Sequence, residues 1–206
     1  MHPNPLFRAA SRDDNLAFVR VRGFGVLTVN GPDGPRVAHL PFVLDETGET
    51  VEFHLARKSP LSAALPGPLA AVLVVSGPDA YVSPDWYGLD EQVPTWNYVA
   101  VHVRGTLVAE PPETLAHHLD RLAAAHEPAL DPKPPWTQAR VSAAKLAAMR
   151  AAIVPLRLRI EAVDGTWKLG QNKPEAAREA AAQEVEAAGY GSETATLAEA
   201  MRRVRG

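Results

Sequence analysis

The chain has 206 residues and no cysteine, which excludes disulfides, cysteine nucleophiles, iron–sulfur clusters and thiolate zinc sites. Its formal net charge is -3, without the basic excess of a dedicated DNA-binding domain, and its apolar runs are far short of a membrane span. The 19 prolines cut the chain into short pieces and argue against a long helical bundle.

Met1-His2-Pro3-Asn4 has neither the basic nor the apolar region of a secretory signal, so a cytoplasmic protein is expected. Ser11, with Asp14 three residues on, reads as the cap of a helix running to about Arg22. Gly25–Asn30 and Arg36–Leu44 read as strands joined by the turn Asn30-Gly31-Pro32-Asp33-Gly34. Thr50–Ala56 alternates, with Val51, Phe53 and Leu55 opposed to Glu52 and His54. Ser59-Pro60 opens a helical turn. Leu69–Val75 fits a strand buried on both faces, and Gly77-Pro78 is expected to end it. A long aromatic and proline-rich segment follows from Tyr81 to Asn97, and loops of that length tend to be functional. Tyr98–Val108 is a further strand.

From Pro111 the spacing turns helical, to His126. Glu127–Trp136 reads as a linker and Thr137–Ala152 as a second helix. Pro155–Val163 returns to period two, and Asp164-Gly165 is expected to turn. Pro174–Ala188 and Thr194–Arg203 are helices separated by Gly189-Tyr190-Gly191. Six or seven short strands precede or flank the helices rather than alternating with them, which favours α+β with an antiparallel sheet or barrel.

Much familiar chemistry is absent. There is no phosphate-binding P-loop, dinucleotide fingerprint, serine elbow or His-Glu-x-x-His motif. His117, His118 and His126 read as solvated helix surface rather than as metal ligands. Arg202, Arg203 and Arg205 are the one compact basic cluster, a thin basis for binding DNA.

Four segments stand out. His39-Leu40-Pro41-Phe42 carries a proline inside a strand, which marks an edge, a bulge or a close ligand approach. After His54-Leu55-Ala56, the turn Arg57-Lys58-Ser59 offers two cations and a hydroxyl, either a phosphate cradle or a solvated basic turn. Between Tyr81 and Tyr98 lie two tryptophans and three tyrosines, suited to a flat ring, a subunit interface or a satellite core. Lys168, Gln171 and Asn172 are amide and ammonium donors before a helix, which Asn172 could instead cap.

These segments, with Gly77–Pro84 and the string Val93-Pro94-Thr95-Trp96-Asn97-Tyr98, occur in an order that resembles the PaiB family of FMN-binding negative transcriptional regulators. The resemblance implies an antiparallel split β-barrel with peripheral helices, binding FMN between the subunits of a homodimer. It implies a barrel domain over 1–173, with inserted helices at about 111–152, and a helical extension over 174–206. It places His39, Leu40, Pro41 and Phe42 along the isoalloxazine, with His54 as a candidate for tuning or a structural strand residue. Arg57, Lys58 and Ser59 would hold the phosphate. Thr95, Trp96 and Asn97 would wall the site, and Lys168, Gln171 and Asn172 would complete it. An FMN-dependent oxidoreductase and a flavin-free split barrel for another ligand are the alternatives.

Overall fold

The computed structural model describes residues 1–63, 65 and 67–204. Its elements in chain order are α1 (Arg12–Arg22), β1 (Phe24–Gly31), β2 (Gly34–Pro41), β3 (Val43–Leu44), β4 (Thr50–Ala56), α2 (Pro60–Ala63), β5 (Leu69–Val82) and β6 (Thr95–Ala109). They continue as α3 (Leu115–His126), α4 (Ala143–Ala151), β7 (Ile153–Lys168), α5 (Glu175–Ala188), β8 (Gly191–Ser192) and α6 (Thr194–Arg203).

The strands form one sheet in the order β2-β1-β5-β6-β7-β4-β3, with β8 added to β5. The registers of β1 with β2 and β5, of β4 with β3 and β7, and of β5 with β8 are all antiparallel. The fold is the expected α+β class, an antiparallel split barrel with peripheral helices. Residues 16–75 and 102–163 form one compact unit, and residues 1–15, 76–101 and 164–206 form another. The long strands β5, β6 and β7 run through both.

In the first of these units the core is aliphatic and aromatic. Leu27, Leu40, Phe42, Phe53, Leu73, Val103, Leu107 and Leu158 are all buried. All but Phe42, which lies between β2 and β3, come from alternate positions of their strands, which is why the period-two reading found them. In the second unit α5 and α6 contribute Ala181, Ala182, Leu197 and Met201 to a core that also buries Asn97 and Arg178.

Several local expectations change. Gly77-Pro78 does not end β5. Odd-numbered residues are buried up to Gly77 and even-numbered ones from Pro78 on, so the pair shifts the alternation by one, as a bulge does. Asp164-Gly165 lies inside β7 rather than at a turn. Gly165 serves close approach there, since a Cβ would stand 1.9 Å from Asn15 Oδ1. The strand expected over Arg36–Leu44 is interrupted at Phe42, whose N–H donates to Gly23 O at 2.9 Å. The helix expected over Thr137–Ala152 shortens to α4, capped by Ser142, whose Oγ accepts from Lys145 N. Among the described residues no helix is long and apolar enough to cross a membrane.

Candidate functional site

The unit of residues 16–75 and 102–163 carries the cationic turn. β4 ends at Ala56, whose carbonyl accepts from Ser59 N (2.9 Å) and Ser62 Oγ (2.9 Å). Ser59 Oγ accepts from Leu61 N at 3.3 Å, which starts α2. The Arg57 guanidinium lies along the junction of α4 and β7. Its Nε donates to Ala151 O at 2.8 Å and its Nη2 to Ile153 O at 3.1 Å, while Arg57 N donates to Ala152 O at 2.8 Å. Lys58 is exposed beside it.

A third cation joins them. Arg36, on β2, donates through Nη1 to Pro60 O at 2.6 Å. Among the described residues no carboxylate pairs with Arg36, Arg57 or Lys58. Sequence reasoning missed Arg36 because its contact lies 24 positions away. Only the turn that folds β2 onto β1 brings it there.

β2 stands at one end of the strand order, so Pro41 sits on an edge strand where its missing N–H costs no ladder bond. Leu40 and Phe42 point into the core, so they offer only backbone atoms outward, whereas His39 is exposed. His39 is opposite Val26 on β1, and Val37 is opposite Thr28. Val74 and Val72 on β5 are opposite the same two β1 residues. The result is a half-exposed apolar sheet face that includes Phe24 and Val37, each more than half exposed.

His54 does not lie open. Its Nδ1 is 3.0 Å from Nε2 of His118 on α3. Burial lowers the pKa of His54. His118 is lowered to about 4, chiefly by burial and then by His54, Arg121 and His117. His118 is therefore not the solvated surface residue its sequence position suggests. Among the described residues no cluster of three or more histidine and carboxylate side chains is arranged to hold a metal.

In the unit of residues 1–15, 76–101 and 164–206, Lys168 closes on the start of β6. Its Nζ donates to Thr95 Oγ1 and to Trp96 O, the latter at 2.8 Å. Burial, then the nearby Lys173, lowers its pKa. Trp96 is 45% exposed and belongs to an aromatic cluster. Tyr81 meets Trp86, Trp96 and Tyr190 edge-on at centroid distances of 6.5, 6.3 and 6.1 Å, and Trp96 meets Tyr190 at 5.9 Å. Tyr190 was not singled out in the sequence, where it reads only as part of a helix-ending Gly-Tyr-Gly.

The other nominated residues here have internal work. Gln171 accepts from Leu169 N at 2.8 Å and donates to Trp167 O at 2.7 Å and Leu6 O at 3.3 Å. Asn97 is buried and donates to Met201 Sδ at 3.6 Å. Asn172 is exposed and does not cap α5, which starts after Pro174 without a side-chain cap. The terminal cations are also occupied. Arg202 bonds Glu179 and Glu186, and Arg203 bonds Glu199. Arg205 lies outside the described residues.

The donor set at the cationic turn fits the phosphate of FMN. Two arginines, a lysine and a serine hydroxyl, without carboxylate partners, match a group carrying about two negative charges. The chemistry such a cofactor supplies is redox; the protein's share is to bind and orient it.

Comparisons with known proteins identify the family. A family model described as "Putative FMN-binding domain" matches residues 1–162. Protease synthase and sporulation protein PAI 2 of Bacillus subtilis (strain 168), a PaiB protein, is 27% identical over 171 residues, covering 82% of this chain and 81% of that one. The FAD and heme binding protein from Mycobacterium smegmatis superposes with a TM-score of 0.59 at 17% identity, over 90% of this chain and 82% of that one. The flavocytochrome Anf3 from Azotobacter vinelandii superposes with a TM-score of 0.58 at 12% identity, over 81% and 72%. The two structures show a shared fold. The family match spans most of the sequence, so the chain belongs to the FMN-binding domain family, and its cofactor is FMN.

Proposed function

We propose that this chain is an FMN-binding protein of the PaiB type that acts as a homodimer, with the flavin at the subunit interface and a negative regulatory role in transcription. The observation that carries the flavin reading is the convergence of Arg36, Arg57, Lys58 and Ser59 on one turn without a carboxylate to neutralise them. Charge-assisted hydrogen bonds to a phosphate are the strong ones, and this turn supplies three cationic donors. Thr95, Trp96 and Lys168 belong to the same proposal as a wall for the ring, with exposed indole surface suited to stacking. Leu40, Phe42, Asn97 and Gln171 are buried, so Leu40 and Phe42 enter the proposal through their backbone and Asn97 and Gln171 as structural residues, and Asn172 is a peripheral contact.

The dimer reading rests on the face built by Phe24, Val26, Val37, Val72 and Val74, with His39 set among them. It is mostly apolar, with Thr28 as its other polar member, and is half-exposed in the monomer. A second copy would cover it with the same residues across a two-fold axis.

DNA recognition has less behind it. Arg202 and Arg203 already face carboxylates, so few cations remain there to release counterions. One observation favours a second reading, an FMN-dependent oxidoreductase: the exposed His39 stands beside Pro41 on the edge strand and could exchange protons with a bound flavin.

The first test is the visible absorption spectrum of the purified protein, before and after addition of FMN and removal of the excess. Retained flavin bands are expected. Turnover with reduced nicotinamide would favour the oxidoreductase reading. A protein that stays colourless after FMN addition would overturn the flavin site.

A further inference from the structure

Helices α3 and α4, which sit between β6 and β7 in the sequence, line a half-open cavity that the flavin reading does not use. Its volume is about 350 Å³, within the range of small-molecule sites. Aliphatic side chains of α3 and α4, Ile153 and the Trp136 indole form most of its lining, and the polar residues are His54, Gln138 and Arg150.

The polar atoms can be accounted for one at a time. Gln138 is fully engaged: Nε2 donates to Ala116 O at 3.1 Å and Asp120 Oδ1 at 2.6 Å, and Oε1 accepts from Arg150 Nη2 at 2.5 Å. His54 uses Nδ1 on His118. Arg150 donates from Nη2 to Gln138, its Nε is buried without a protein partner, and among the described residues no carboxylate lines the cavity. A guanidinium therefore stands among mostly apolar walls with one of its five N–H groups matched, by Gln138 Oε1, and with no carboxylate lining the cavity beside it among the described residues. Leaving such a donor unmade is costly, and so is leaving a charge unpaired.

We propose that this cavity binds an amphipathic monocarboxylate, its carboxylate on Arg150 and its hydrocarbon part against the aliphatic faces of α3 and α4. A neutral hydrophobe would leave both the charge and the N–H unsatisfied. An inorganic phosphate would leave the aliphatic walls without an apolar partner. Gln138 is a positioning residue, fixing the guanidinium through Nη2 at the cavity wall.

The test is calorimetric titration of the FMN-loaded protein with decanoate, decanol and decyltrimethylammonium. Saturable binding of decanoate at one site is expected, with the cation not binding. Arg150→Met should weaken decanoate at least tenfold and leave decanol unchanged, with the flavin spectrum intact. Absence of saturable decanoate binding, equal binding of the cation, or release of FMN by decanoate would overturn the proposal. Should Arg150→Met not fold, Leu146→Trp fills the cavity instead. That variant should abolish decanoate binding, and undiminished binding would equally overturn the site.

Discussion

His54 on β4 and His118 on α3 share a hydrogen bond of 3.0 Å between Nδ1 and Nε2, their rings crossing at 71°. One ring must donate and the other accept, so the contact requires at least one neutral imidazole. Burial holds both pKa values down, His118 to about 4, and the Arg121 and His117 charges push in the same direction on His118. The unfolded chain takes up these protons near the ordinary histidine value and the folded one resists them. Stability is therefore fully present above about pH 6.5 and is lost as pH falls from there toward about 4. Thermal midpoints should hold between pH 7.5 and about 6.5 and fall from there to pH 4.5. His118→Gln, which can still donate to His54, should flatten that slope; an unchanged slope would remove the pair from the account.

Arg57→Ala should weaken FMN binding more than tenfold, since a charge-assisted contact of roughly 1.5–3 kcal/mol is lost. Arg36→Ala should weaken it in the same direction, because its guanidinium reaches the same turn at Pro60. Flavin fluorescence titration of the folded variants measures both. Native affinity in either would break the link between that cation and the phosphate.

The half-exposed face of β1, β2 and β5 gives an assembly prediction. The protein should sediment as a dimer at micromolar concentration. Val37→Asp places a carboxylate on a residue 57% exposed at that face, so it should shift the species to monomer without unfolding it. A variant that remains dimeric would move the interface elsewhere.

Gly165→Ala probes the second unit. The new methyl would stand 1.9 Å from Asn15 Oδ1, which accepts from the Trp167 indole N–H at 2.8 Å. Asn15 is buried and also donates to Ala10 O at 3.3 Å, so it has little freedom to move away. A loss of about 1–3 kcal/mol is expected, read by denaturant unfolding. Wild-type stability would mean that β7 relaxes there at no cost.

What the sequence made legible follows from where the forces are local. β4 matches its expected bounds because Val51, Phe53 and Leu55 alternate without interruption. α6 matches because its apolar stripe, Leu197, Ala198 and Met201, lies within ten residues. The capping pair of α1 is likewise seen, Asp14 N donating to Ser11 Oγ at 3.1 Å. Gly77-Pro78 and Asp164-Gly165 misled because the same dipeptides serve turns and bulges, and only cross-strand neighbours decide between them. His118 was misread because its partner is 64 positions away. Of the site, the turn at Arg57 could be nominated from its residues alone, whereas Arg36 and Tyr190 arrive only through register and packing.

The two carbonyls that hold the Arg57 side chain have a consequence for how an anion is met. A free arginine has many rotamers, and immobilising such a side chain on binding costs roughly 0.5–1.5 kcal/mol. Here Ala151 O and Ile153 O restrain it before any ligand arrives. The ordering entropy is thus settled during folding, and an incoming phosphate meets a charge already aimed. Lysine would meet both carbonyls from a single nitrogen, leaving no separate planar edge aimed outward as the guanidinium does. The position is therefore specific for arginine because of the backbone beside it, before the ligand enters the question.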